Sequence, residues 1–169
     1  MRYALLDGRL FTRDFLLEGI RETKSWLELD PARLEAFRLQ ATGVVTALSV
    51  RKNPNEAQTE DDLVYPLLSA VGWTSRDVQP NASVKARLDV PDALLYPDAA
   101  AKTLAGGLDA WARFQHGLCV VEAKRWGRPL DREEKGRKGE EGTPSSQILR
   151  YLGRVEERTR GKLRWGILT

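Results

Sequence analysis

Val120-Val121-Glu122-Ala123-Lys124 closes an apolar run that begins at Leu118, and it ends on a carboxylate and an ammonium two positions apart. In an extended strand, side chains two apart share a face, so Glu122 and Lys124 project together while Val121 and Ala123 point the other way. Upstream, Pro91-Asp92-Ala93-Leu94-Leu95-Tyr96 sets a second acid at the head of another apolar segment, with Asp92, Leu94 and Tyr96 on one face. The two segments are expected to lie side by side, with Asp92 and Glu122 aimed at the same side of one sheet.

Outward from these strands the signals alternate. Val84, Ala86, Leu88 and Val90 alternate with Lys85, Arg87 and Asp89, the period of a half-buried strand, and Pro91 interrupts it with a bend or bulge. Before it, Asn55 can cap a helix running from Glu56 to about Val71 and closed by Gly72. Leu63, Val64, Leu67, Leu68 and Val71 form its expected buried stripe, and helical spacing carries that stripe back to Glu60 and Glu56. Pro66 predicts a kink, or a break near Asp62. Residues 97–117 read as an insertion with short helices around Ala99–Leu104 and Leu108–Phe114. Residues 125–142 mix Lys and Arg with acids and glycines and keep no apolar period, which predicts a mobile loop.

Thr143-Pro144-Ser145-Ser146 is a helix start, and Gly161 a helix end. Between them Ile148, Leu152 and Val155 form an apolar stripe, while Gln147, Tyr151, Arg154 and Arg158 form a second one. Leu163–Leu168 reads as the last strand. Residues 11–48 predict two helices, the first capped by Thr12 or Asp14 and the second restarted at Asp30-Pro31. The organisation expected is therefore an N-terminal helical extension over 1–50 and a main domain over 51–169. Helix, three strands, helix, strand is the order of an α/β domain whose mixed sheet is covered by helices.

A chain of 169 residues with 41% apolar content and five Trp is sufficient for a globular core. Twenty-seven Lys and Arg against 24 Asp and Glu give a net charge of +3, so any nucleic-acid contact must come from local patches rather than bulk charge. The lone Cys119 rules out a disulfide framework and a cysteine zinc site, and its apolar neighbours predict a buried free thiol. Arg2, Asp7 and Arg9 break any secretory apolar core, and no segment approaches the roughly 18 apolar residues of a membrane span. A soluble, cytoplasmic protein is expected. His116, the single histidine, reads as structural or exposed, which disfavours histidine-based hydrolases.

Two carboxylates on one sheet face, Asp92 and Glu122, make a hard-oxygen site suited to Mg2+ or Mn2+. Such an ion activates water and neutralises phosphate charge, and Lys124 beside it can orient the water and stabilise the developing anion. Glu56 or Glu60 can reach the same centre from the preceding helix. Phosphodiester hydrolysis uses all of these parts.

The set Glu56, Pro91-Asp92, Glu122-Ala123-Lys124 and Gln147 with Tyr151 resembles the PD-(D/E)XK nuclease superfamily. Asn55-Glu56-Ala57-Gln58-Thr59, then Pro66-Leu67-Leu68, Gly72-Trp73 and Val121-Glu122-Ala123-Lys124, is similar to the N-terminal nuclease region of large type I and type IIG restriction-modification proteins. The resemblance covers about Asn55 to Thr169, with a weaker echo in Leu10 to Trp26. It implies a restriction-endonuclease-like αβββαβ core, an endonuclease activity on DNA, Asp92 and Glu122 as metal ligands, and Lys124 as the catalytic lysine. Glu56 becomes the supporting helix carboxylate and Gln147 a polar group near metal or DNA. It also implies a longer parent protein from restriction or phage defence, with methyltransferase, recognition or motor partners and a homodimer for double-strand cleavage. Nothing in the chain resembles methyltransferase or helicase motifs.

Other readings compete. Asp89 rivals Asp92 as ligand, and Glu60 rivals Glu56. Acids in a first helical turn also serve the helix dipole, and the arginines of the 143–160 helix suit a solvated face. Trp73, Trp126 and Trp165 read as core or loop anchors. A catalytically silent module that binds DNA or positions a partner enzyme is the rival function. A metal-independent hydrolase built on an acid pair is a third.

Overall fold

The structure, a computed structural model, describes residues 11–80, 90–109, 111–132 and 143–169. The chain divides into two compact units, Met1–Gln40 and Ala41–Thr169. In the first, α1 (Arg13–Leu17) is capped by the Thr12 side chain, which accepts from Phe15 N–H, and Phe11 stacks on Phe15 at 5.4 Å between ring centroids. A 3-10 turn over Gly19–Glu22 leads to α2 (Lys24–Leu27), capped by Thr23. Helix α3 (Pro31–Ser49) starts in the first unit, with Asp30 Oδ1 accepting from Ala32 N–H at 2.9 Å, and ends in the second, to which its buried residue Leu48 belongs.

The second unit carries a four-stranded sheet in the order β1 (Arg76–Val78), β2 (Ala93–Leu95), β3 (Cys119–Glu122), β4 (Trp165–Leu168). β1 with β2 and β2 with β3 are antiparallel, while β3 with β4 is parallel. The parallel pair needs a crossover, which α7 (Pro144–Thr159) supplies. The sheet is therefore mixed and flanked by helices, as the order of elements in the sequence predicts.

Strict alternation on the two central strands builds a core on each side. Leu94, Tyr96 and Val120 pack with Ala105, Phe114, Ile148, Val155 and Leu163, drawn from α6 (Ala99–Gly106), a 3-10 turn over Ala112–His116, and α7 with the chain after it. Ala93, Leu95, Cys119, Val121 and Ala123 pack against Val64, Tyr65 and Leu68 on the opposite side. Cys119 is a buried free thiol, and burial pushes its pKa up to about 12.

The helix before the sheet is not regular. Asn55 forms a capping box with Gln58, opening α4 (Glu56–Thr59); Glu60–Val64 then forms a wide π-helical turn; α5 (Tyr65–Ala70) follows. Pro66 has no N–H for the Asp62 carbonyl, and the wide turn, in which Tyr65 N–H reaches back to Glu60 C=O, absorbs the mismatch. The extra residue rotates the apolar stripe. Tyr65 turns inward beside Val64 and Leu68, whereas Val71, expected in the stripe, is exposed.

The strand expected over 84–90 lies outside the described residues apart from Val90. The first described strand is β1, which is too short to show a period and is held by polar contacts. Tyr96 Oη donates to Asp77 Oδ2 at 2.8 Å, Lys102 Nζ donates to the Arg76 carbonyl at 2.6 Å, and the Arg76 guanidinium covers the Tyr65 ring at 4.9 Å. Of the expected mobile loop, residues 125–132 are described and begin with a turn; residues 133–142 lie outside the description, as does Asp89. Among the described residues no helix is long and apolar enough to cross a membrane.

Candidate metal and phosphodiester site

The register of β2 on β3 pairs Ala93 with Val121. One further step places Asp92 directly opposite Glu122, and opposed residues of an antiparallel pair share a face. The Asp92 side chain is locked there, because its Oδ2 accepts from Ala123 N–H at 2.7 Å. Pro91, buried just before it, cannot donate to a ladder and so ends the strand at this point.

Glu122 and Lys124 share the same side by pleating and make direct contact, Lys124 Nζ lying 2.5 Å from Glu122 Oε1. Both are buried, at 2% and 4% exposure. The backbone between them is clamped by the end of the chain: Thr169 N–H donates to the Glu122 carbonyl at 3.0 Å, and Lys124 N–H donates to the Thr169 carbonyl at 2.8 Å. Glu56, in the first turn of α4, brings Oε1 to 3.7 Å from Lys124 Nζ.

Glu60 is placed differently. It is buried, and its Oε2 lies 3.1 Å from Tyr65 Oη, which also lies 3.2 Å from the Asp92 carbonyl. Glu56 therefore meets the lysine, while Glu60 meets a tyrosine that braces the Asp92 backbone. Tyr65 has no signal at regular helical spacing, since the π turn sets it five residues after Glu60. Pro66 is the one sequence feature that points to such a rearrangement.

Gln147 joins the group through Tyr151, donating from Nε2 to Tyr151 Oη at 2.9 Å. Tyr151 is buried against the centre, and its pKa is raised by burial and, against the Gln147 hydrogen bond, by the charges of Glu122 and Asp92. Arg154 and Arg158 of the same stripe are exposed, with the Arg158 guanidinium 5.2 Å over the Trp111 ring. Of the three tryptophans expected as anchors, Trp73 is half-buried against the sheet, whereas Trp126 and Trp165 are exposed. His116 ends a 3-10 turn before β3.

The electrostatics of the centre are those of crowded acids. Burial and the neighbouring Asp92 raise Glu122 to about 7 against the pull of Lys124. Burial and Asp92 raise Glu60 to about 7 as well, and burial raises Asp92 against the Ala123 N–H and Lys124. Burial opposes the charge on Lys124, but Glu122, Glu56 and Asp92 outweigh it and leave its pKa above the ordinary lysine value. Three carboxylates, those of Glu122, Glu56 and Asp92, thus converge electrostatically on one ammonium.

Two of their oxygens, Glu122 Oε2 and Glu56 Oε2, are buried without a hydrogen-bond partner. An orphaned anionic oxygen costs desolvation energy that a cation removes. Among the described residues no three His, Cys, Asp or Glu side chains form a ready-made metal cage. The pair Asp92 and Glu122 instead suits a hard, largely hydrated ion of the Mg2+ kind, which needs only one or two protein carboxylates. Comparison with protein-family models, characterised proteins and solved structures finds no match.

Proposed function

We propose that this chain is a divalent-metal-dependent DNA endonuclease domain that hydrolyses phosphodiester bonds on a restriction-endonuclease-like core. The observation that carries the reading is the placement of Asp92 opposite Glu122, with Lys124 Nζ 2.5 Å from Glu122 Oε1 at the same end of β3. Asp92 and Glu122 would hold Mg2+ or Mn2+, whose chemistry when bound is to activate water and neutralise charge on the phosphate. Glu122 and Glu56 hold the Lys124 ammonium in place and keep it protonated, so it meets an anionic phosphate oxygen as a fixed positive charge. Burial of these groups keeps bulk water from screening that charge. Tyr151, oriented by Gln147, borders the same acids and offers a hydroxyl to substrate or to ordered water.

The resemblance of the 55–59 and 121–124 segments to restriction-modification nucleases supports a place in prokaryotic restriction or phage defence. Recognition, methyltransferase or motor domains, and a second copy for double-strand cutting, are the partners this reading calls for. Incubation of supercoiled plasmid with the protein in Mg2+, Mn2+ or EDTA tests it, beside Asp92→Asn and Lys124→Met. Metal-dependent nicking by the parent chain, reduced about 100-fold or more in both variants, is the expected result. Cleavage that survives both substitutions removes the site assignment. DNA binding without cleavage under every metal condition favours the silent module.

A further inference from the structure

A cavity of about 570 Å³ opens beside the acidic centre, lined by Arg51, Lys52, Asn53, Pro54, Asn55, Arg125 and Trp126. Its volume lies in the ~300–1,000 Å³ range of sites that hold small organic groups. Three of its side chains are cationic and none is acidic, in contrast to the carboxylate cluster next to it. Trp126 is 55% exposed, so a large aromatic face borders the cavity with no packing role in the core.

The walls are fixed. Trp126 N–H donates to the buried Thr59 Oγ1 at 3.0 Å, and Arg128 N–H donates to the Arg125 carbonyl at 3.1 Å, closing a turn in which Gly127 takes φ 80°. That positive φ is the glycine-favouring region, and it lets the turn reverse directly after the indole. Opposite, Arg51 Nε pairs with Asp62 Oδ2 at 2.7 Å, and Asn55 is tied into its capping box. Each wall also continues in one residue step, ~3.8 Å of backbone, into the centre: Asn55 precedes Glu56, and Arg125 follows Lys124.

We infer that this cavity is a nucleotide subsite, in which Arg51, Lys52 and Arg125 hold a backbone phosphate and the Trp126 indole stacks on the base of a nucleic-acid strand entering the centre. Cations position the strand through its phosphates, and an aromatic face accepts any base, so the subsite is tolerant of sequence. A strand is favoured over a free nucleotide because both walls lead straight to the Glu56–Lys124 contact, where the next phosphate belongs. The inference rests on the nuclease reading for its orientation but not for its measurement.

The test is anisotropy of a fluorescein-labelled (dT)12 oligonucleotide titrated in EDTA, where cleavage plays no part. Trp126→Ala is expected to weaken binding roughly 5- to 150-fold, with Trp126→Phe recovering most of it. Lys52→Glu, at an exposed position, is expected to weaken binding and flatten its salt dependence; it stands in should Trp126→Ala fail to fold. Parent-like binding by these variants, or no binding by the parent chain, overturns the subsite. Thymidine 5′-monophosphate serves as competitor: displacement at the oligonucleotide's own concentration range assigns the cavity to free nucleotides and overturns the strand. Trp126-dependent binding without metal-dependent plasmid nicking keeps the subsite and favours the silent module over the nuclease. Nicking with Trp126-independent binding does the reverse.

Discussion

Lys124 Nζ and Glu122 Oε1 lie 2.5 Å apart with both side chains 3% exposed, which makes them a buried ion pair at the end of a central strand. Removing one member of such a pair strands the other charge in low dielectric, at a cost of about 3–5 kcal/mol. Lys124→Ala is therefore expected to lower stability by that order in EDTA, read from the urea midpoint at constant m-value. The double variant Glu122→Gln with Lys124→Met is expected to recover part of the loss, because neither member of the pair is then left charged without the other, although Asp92 and Glu56 still lose their cation. Equal destabilisation by both variants would show that packing, not charge, sets the cost.

Glu60 gives the pH dependence. Its pKa rises from 4.5 in the ordinary range to about 7, chiefly through burial and then through Asp92. A carboxyl raised on folding binds its proton more tightly in the native state, so the contribution of Glu60 to stability is fully present below about 4.5 and is lost as pH rises through about 7. Glu122 and Asp92, also raised, act in the same direction. In EDTA the melting temperature is expected to decline across this window, and Glu60→Gln to decline less steeply. A parent chain whose stability climbs between pH 5 and 7 contradicts the crowding of acids described above.

Divalent cation should offset that crowding. At a concentration 100 times its dissociation constant, a ligand specific for the native state adds about 2.7 kcal/mol. Mg2+ or Mn2+ is expected to raise the melting temperature of the parent chain and to lose that effect in Asp92→Asn. An unchanged shift in Asp92→Asn moves the ion elsewhere.

Gly117 tests the packing that aims β3. Its φ of −74° suits any residue, but a Cβ there would meet Leu94 Cδ1 at 2.5 Å and Leu163 Cδ1 at 2.8 Å, both side chains being fully buried. Gly117→Ala is expected to cost about 1–3 kcal/mol by overpacking, measured in urea. A neutral outcome would mean that the two leucines repack freely.

Much of the fold was legible in the chain because strong local signals agree with it. The apolar runs ending at Leu95 and Glu122 are buried on both faces, Asn55 and Thr143 carry their caps, and the left-handed Arg160 and Gly161 end α7. β1 was not legible, since three residues cannot display a period and Arg76 and Asp77 are held by contacts distant in sequence. The convergence of Glu122 with Lys124 follows from a spacing of two, and that of Asp92 from adjacency of the strands. The split between Glu56 and Glu60 needed the π turn, a rearrangement that regular helical spacing does not encode. The exposure of Trp126 was hidden for another reason: a tryptophan's size argues for burial wherever it occurs, and only the turn at Gly127 shows it facing outward.

The clamp of Thr169 on the backbone of Glu122 and Lys124 links the candidate site to a distant part of the chain. β1, β2 and β3 form a meander of antiparallel neighbours, whereas β4 reaches β3 only after the whole span containing α7 has closed a loop. The main chain at Lys124 is thus held by a residue 45 positions further along, so the place of the ammonium is tied to the α7 crossover as well as to its own strand.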